Sequence, residues 1–124
     1  MGSPQNWSLT QKKAADLTTK HFTTSSGVTT YTAKTGRVAD GFQFDNVIRV
    51  TTASTYSLTI TVPDGVFYGQ QLFVLFEVEG GTETVDVTTT TGDDATQMTA
   101  AGGYWLGIWC GSTIGWATLD SSAT

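Results

Sequence analysis

Beyond Arg49 the chain has no lysine, arginine or histidine, and in 124 residues it has one cysteine, one histidine and two prolines. Each shortage excludes something. A lone Cys110 cannot close an internal disulfide, and no hydrophobic signal peptide opens the sequence, so folding in a reducing cytoplasm is expected. One His and one Cys cannot make a structural zinc site. No apolar run approaches the length that spans a bilayer. Phosphate contact needs basic side chains, so an acidic body without them argues against nucleic acid. Charged residues make up only 14% of the chain, well below the usual quarter.

The charge that is present is divided unevenly. All six basic residues (Lys12, Lys13, Lys20, Lys34, Arg37, Arg49) lie in the first 49 positions, while eight of the eleven acids lie after them. Such a split serves solubility, or it marks a weakly basic N-terminal arm that docks on an acidic surface.

Threonine takes the place of charge, with Thr88 to Thr91 as a run and Thr18-Thr19, Thr23-Thr24, Thr29-Thr30 and Thr51-Thr52 as pairs. β-Branched Thr favours extended backbone and tolerates water on the outer side of a sheet. Fourteen glycines suit many tight turns. Leu58, Ile60 and Val62 alternate as on a half-buried strand, and Phe42, Phe44, Ile48 and Val50 share one face at a period of two. Between Gln70 and Val78, Leu72, Val74, Phe76 and Val78 form one face and Phe73 and Leu75 the other, so both sides need cover. Gly80-Gly81 signals a hairpin with Thr84 to Val87 as the return strand, and Gly111-Ser112 links Tyr104–Cys110 to Ile114–Leu119. Met98 begins a short strand. The expectation is an all-β fold, a small β-sandwich or jelly-roll-like barrel of about eight short strands. An extended N-terminal arm over 1–26 precedes a β-domain over 27–124, with a short helix possible from Leu9 to Leu17 behind Ser8. No internal repeat stands out.

Residues with catalytic potential are scattered. His21 is the sole imidazole, and nothing in the sequence ties it to a nucleophile and an acid. Cys110 continues an apolar alternation and reads as an inert core residue. Asp93-Asp94 lacks the alternation of a calcium loop. Glu77, Glu79, Glu83 and Asp86 flank Gly80-Gly81 and read as a solubilising, edge-protecting group rather than paired catalytic carboxylates. No enzyme activity, cofactor or metal is expected. Aromatics dominate instead: Tyr56, Phe67, Tyr68, Phe73, Phe76, Tyr104, Trp105, Trp109 and Trp116. Trp105 and Trp109, four apart with Gly107 between, either present a platform for a sugar or pack into a core or an interface; packing or an interface is preferred.

The stretch 57–120 resembles small virion structural proteins of tailed bacteriophages. The resemblance lies in Leu58-Thr59-Ile60-Thr61-Val62, Pro63-Asp64-Gly65, Tyr68-Gly69-Gln70-Gln71, the apolar strand, a Gly-rich hairpin, and a closing Tyr104-Trp105 … Gly115-Trp116 hairpin. It is a pattern of turns and strand character shared with head decoration (cement) proteins and with head or tail fibre domains. The resemblance implies a non-enzymatic protein on the outer capsid surface, assembled in the host cytoplasm. Its partners would be the major capsid protein and itself, as a homotrimer, with neither nucleic acid nor membrane. Trp7, Lys12, Lys13, Lys20 and Phe22 are then candidate capsid contacts, and Phe73, Leu75, Trp105 and Trp109 candidate subunit contacts. The alternative is a fibre or spike module that binds a receptor or glycan through Tyr104, Trp105, Trp109 and Trp116.

Overall fold

In the computed structural model the described residues are 19–38, 41–53, 55–93 and 97–123. Ten strands occur among them: β1 Thr19–Thr23, β2 Thr30–Thr32, β3 Thr35–Val38, β4 Gly41–Phe44, β5 Val47–Thr51, β6 Leu58–Val62, β7 Gln71–Val78, β8 Val85–Thr89, β9 Tyr104–Trp109 and β10 Trp116–Ser122. The fold is all-β, in several sheets, with no closed barrel. The helix expected over 9–17 lies outside the described residues.

Successive strands alternate between two sheets. One sheet has the order β1-β5-β7-β9-β10, the other β2-β6-β8, and β3 with β4 forms a separate antiparallel ribbon. β1, β5 and β7 run parallel, as do β2, β6 and β8. Parallel neighbours cannot be joined by a tight turn. Here the chain crosses to the opposite sheet and returns, laying each winding on the one before. Thr19 pairs with Val47 and Val47 with Phe73; Thr30 pairs with Thr59 and Thr59 with Asp86. The windings therefore repeat every 26 to 29 residues although no sequence repeat is visible.

This winding changes two expectations. Thr84 to Val87 does not return along β7: β8 joins β6 in the other sheet, and Gly80-Gly81 lies in the crossover. The span 19–23, expected within an arm, is instead the edge strand β1.

The core lies between the sheets. Phe22, Val50 and Phe76 are register partners and are buried, as are Ile48 and Val74. From the other sheet Leu58, Ile60, Val62, Val85 and Val87 meet them in one cluster, and Phe22 touches Tyr31 across the layers at 5.2 Å. Each fully buried Ile, Val or Phe contributes roughly 1.5–3 kcal/mol. Leu72, Val74 and Phe76 face inward as expected, but Val78 is 48% exposed. Its departure follows from a bulge: Val50 pairs with Phe76 and Thr51 with Val78, so Glu77 is the extra residue and the strand end leaves the core.

Buried polar groups pin the crossovers. The Thr24 hydroxyl donates to the Tyr56 carbonyl and accepts from the Ala53 amide. Thr52 accepts from the Gly80 amide at 3.1 Å. Asp45, 7% exposed, accepts from the Tyr31 hydroxyl at 2.6 Å and the Lys34 amide at 2.9 Å. Burial, with the Asp45 carboxylate beside it, pushes the Tyr31 hydroxyl well above the usual phenol range.

The antiparallel hairpin β9–β10 closes the stack through a helical turn, α1 Gly111–Ile114. It carries three buried tryptophans. Trp116 meets Trp105 and Trp109 edge-on at 6.1 and 5.6 Å. Trp105 Nε1 donates to the Thr118 hydroxyl and Trp116 Nε1 to the Pro63 carbonyl, as buried indoles require. The Trp105 ring lies over Gly107, where a Cβ would collide with the indole. Gly107→Ala should therefore destabilise the protein by about 1–3 kcal/mol, the usual range for overpacking. Urea unfolding checks this, and an unchanged midpoint would contradict the placement of the ring.

Candidate functional site

The segment 63–70 joins β6 to β7 and carries the most exposed aromatics among the described residues. Val66, Phe67 and Tyr68 are 47%, 54% and 73% exposed. Their exposure follows from local chemistry. Pro63-Asp64-Gly65 breaks the strand, and three large residues before Gly69 are too few to resume a buried alternation. Gly69 adopts φ 90°, a conformation that costs glycine little. Its amide then donates to the Trp109 carbonyl at 2.9 Å.

The loop is exposed yet firmly held. Gln70 is 5% exposed; its Oε1 accepts from the Val66 amide and its Nε2 donates to the Thr35 carbonyl, both at 2.8 Å. The Thr35 hydroxyl donates to the Asp64 carbonyl. The Trp109 amide donates to the Gln70 carbonyl. Gly65 lies against the Trp109 ring, where a Cβ would come within 2.5 Å of Cγ. Three elements, β3, β9 and β10, thus grip one loop.

Beside it opens a cleft of about 440 Å³ lined by Phe44, Asn46, Phe67, Gly69, Gln70 and Gln71. Phe44 and Phe67 meet edge to face with ring centroids 6.0 Å apart. None of these lining residues carries a charge.

A second feature is the outward side of the larger sheet. Inward residues of β5, β7 and β9 fill the core, and Val47, Phe73, Leu75, Leu106 and Ile108 stand half-buried on the other side. Register makes them neighbours: Val47 beside Phe73, Phe73 beside Leu106, and Gln71 beside Ile108. Phe73 also packs on Tyr104 at 5.9 Å. Polar groups flank the patch. Arg49 donates to both carboxylate oxygens of Glu77, at 2.5 and 2.7 Å. His21 and Thr51 share a hydrogen bond at 3.0 Å, and the Tyr104 hydroxyl donates to Asp120. The hydrogen bonds from Arg49, with its charge, hold the Glu77 carboxyl below the usual carboxylate range, while the Asp120 bond raises the Tyr104 hydroxyl.

The residues singled out from sequence are placed as follows. Phe73 and Leu75 sit together on the outward patch. Trp105 and Trp109, expected at a subunit interface, are 0% and 4% exposed and belong to the chain's own core. With Trp116 also at 0%, no tryptophan of the hairpin is available as a sugar platform. Phe22 is 9% exposed and packed on Tyr31, so it is a core residue and not a surface contact. Lys20 shares the inward register of Ile48, with its Nζ 5.5 Å from the centre of the Tyr31 ring, a cation–π distance. Trp7, Lys12, Lys13 and Asp94 lie outside the described residues. Cys110, expected in the core, is only partly buried.

The acidic group around Gly80-Gly81 is dispersed. Glu77 pairs with Arg49, Glu79 accepts from the Ala101 amide, and Glu83 is 4% exposed with Oε1 unpartnered. Asp93 accepts from the Thr118 amide. Among the described residues no group of three or more His, Cys, Asp or Glu could hold a metal ion, and no helix is long and apolar enough to cross a membrane.

Sequence reasoning passed over Phe44, Phe67, Asn46, Gln70 and Gln71 as site residues. Their signal was present in part: an apolar triplet inside a turn has no core to enter. The contribution of Phe44 and Asn46 was not legible, because only the winding brings residues 44–46 beside 67–71.

Comparison with known protein families, with curated proteins and with solved structures finds no match.

Two outcomes follow from this geometry. Gln70→Ala would leave the Val66 amide and the Thr35 carbonyl without their partner, at about 1–3 kcal/mol for each buried group not rescued by water. Hydrogen exchange should quicken at Val66 while β6 and β8 keep their protection. Glu77 is stabilised as the carboxylate, so its contribution is present above pH about 4.5 and is lost as pH falls through its lowered folded value. The Glu77→Gln variant should show a flatter loss of thermal stability below that pH than the parent protein, and an identical acid limb would contradict the pairing.

Proposed function

We propose that the chain is a non-enzymatic structural protein of a tailed-phage virion, a decoration (cement) subunit that assembles as a homotrimer on the outside of the shell. The observation that carries this reading is the outward apolar patch of Val47, Phe73, Leu75, Leu106 and Ile108. A sheet with one face on a core normally turns polar residues to water on the other. A contiguous apolar surface marks a place where another protein seats. The resemblance of residues 57–120 to virion structural proteins supplies the setting, and the major capsid protein is the second partner it implies.

Such a subunit works without chemistry. Anything that binds the mature shell and not its disassembled parts stabilises it by mass action. Repetition over many copies raises the total without one strong site. Stacked windings with a dense core offer a stiff body for this role, and the pinned crossovers keep its outward face in register.

The test is native mass of the full chain and of Phe73→Glu and Leu75→Glu. Both positions are half-buried on the outside, so the fold should persist. A trimer that falls to monomer in either variant, with unchanged circular dichroism, supports the reading. A parent protein that stays monomeric at micromolar concentration and fails to bind empty shells overturns it. Truncation to test a docking arm must stop before Thr19, because deeper removal takes away β1.

A further inference from the structure

The cleft beside the 63–70 loop borders the apolar patch at Gln71 but differs from it in chemistry, because side-chain amides share its lining with the aromatic rings. Its volume of about 440 Å³ falls in the range of small-molecule sites, roughly 300–1,000 Å³.

We infer that this cleft binds a neutral saccharide, with the Phe67 ring against a sugar face and the Asn46 and Gln71 amides on its hydroxyls. The ring is 54% exposed and stands between Val66 and Tyr68, so it belongs to an exposed apolar cluster and is not a single scattered residue. Phe44 braces it from the side at 6.0 Å. Tyr68, next in the chain and 73% exposed, lies with its ring near Gly111, outside the cleft lining.

The polar groups favour the same ligand. Asn46 and Gln71 are exposed, and neither side-chain amide is committed to a hydrogen bond with the described residues. An amide both donates and accepts, as a hydroxyl does. The absence of charge among the lining residues leaves nothing to pair with a carboxylated or sulfated sugar. Neutral hexoses and N-acetylhexosamines are the chemical class that fits.

Rigidity completes the argument. Gln70 clamps the Val66 amide and the Thr35 carbonyl, and the Gly69 amide is fixed on the Trp109 carbonyl. An exposed aromatic on a held loop loses little freedom when a ligand arrives, which favours affinity.

The experiment uses the full chain on an array of immobilised glycans, both neutral (glucose-, galactose-, mannose- and N-acetylglucosamine-terminated) and acidic (sialylated and uronic). Hits are then titrated by calorimetry against the parent, Phe67→Ala, Gln71→Ala and Leu119→Ala. Leu119 is an exposed apolar residue on β10, outside the cleft, and serves as the control. Expected is binding to a neutral glycan that weakens at least about tenfold, or about 1.4 kcal/mol, in Phe67→Ala and is unchanged in Leu119→Ala. Thermal melting should show all three variants folded. Recognition of acidic glycans alone, binding indifferent to Phe67→Ala, or no binding to any glycan overturns the inference. The cleft adjoins the patch at Gln71, which pairs with Ile108, yet the two readings fail separately: a monomer that binds sugar but not empty shells sinks the trimer and keeps the cleft, and a trimer blind to sugar does the reverse.

Discussion

Parallel pairing of β1, β5 and β7 is the constraint on which the other features depend. Parallel strands require a crossover, and here every crossover is made through the second sheet. Once β5 is registered on β1, the length of chain between them fixes where β2 and β6 meet. The buried partners Phe22, Val50 and Phe76 keep the first sheet in register, and Leu58 with Val85 does so in the second. A slip of one residue would turn each of these ladders to water at once.

The closing hairpin answers a different problem. A stack of windings ends in an open core unless something covers it, and β9 pairs antiparallel to β7 with β10 beyond. Its three indoles fill the end of the core, with two of their N–H groups held by Thr118 and Pro63. Trp109 couples this cover to the 63–70 loop through its amide, its carbonyl and its ring. Core closure and presentation of the exposed aromatics are thus one arrangement, and the half-exposed pair of Arg49 and Glu77 contributes little beside it.

Much of the fold was legible in the residues. Leu58, Ile60 and Val62, and likewise Leu72, Val74 and Phe76, alternate so regularly that strand and inward face follow from period alone. The hairpin over 104–119 was legible from its glycines and aromatics. Pairing partners were not: Gly80-Gly81 looks like a hairpin turn whether the next strand returns or crosses, and local chemistry does not separate the two. The inward direction of Trp105 and Trp109 was equally hidden, since Leu106 and Ile108 on the opposite side are just as apolar. Gly107 was the clue, as the missing side chain makes room for an indole. The expected N-terminal contact Phe22 failed because it completes a ladder begun by Val50 and Phe76.

The stacking also converts a fact of composition into a direction in space. Lys20 and Lys34 belong to the first winding and its ribbon, whereas Glu77, Glu79, Asp86, Asp93 and Asp120 belong to the third winding and the hairpin. Sequence position maps onto height along the stack, so the molecule carries a charge gradient along its own long pathway of windings. An uneven charge distribution of this kind feels a torque as well as a pull near a charged surface. Dilute salt lengthens the range of that alignment and strong salt erases it. The order in which the windings are laid down thereby sets which end of the stack carries the acids.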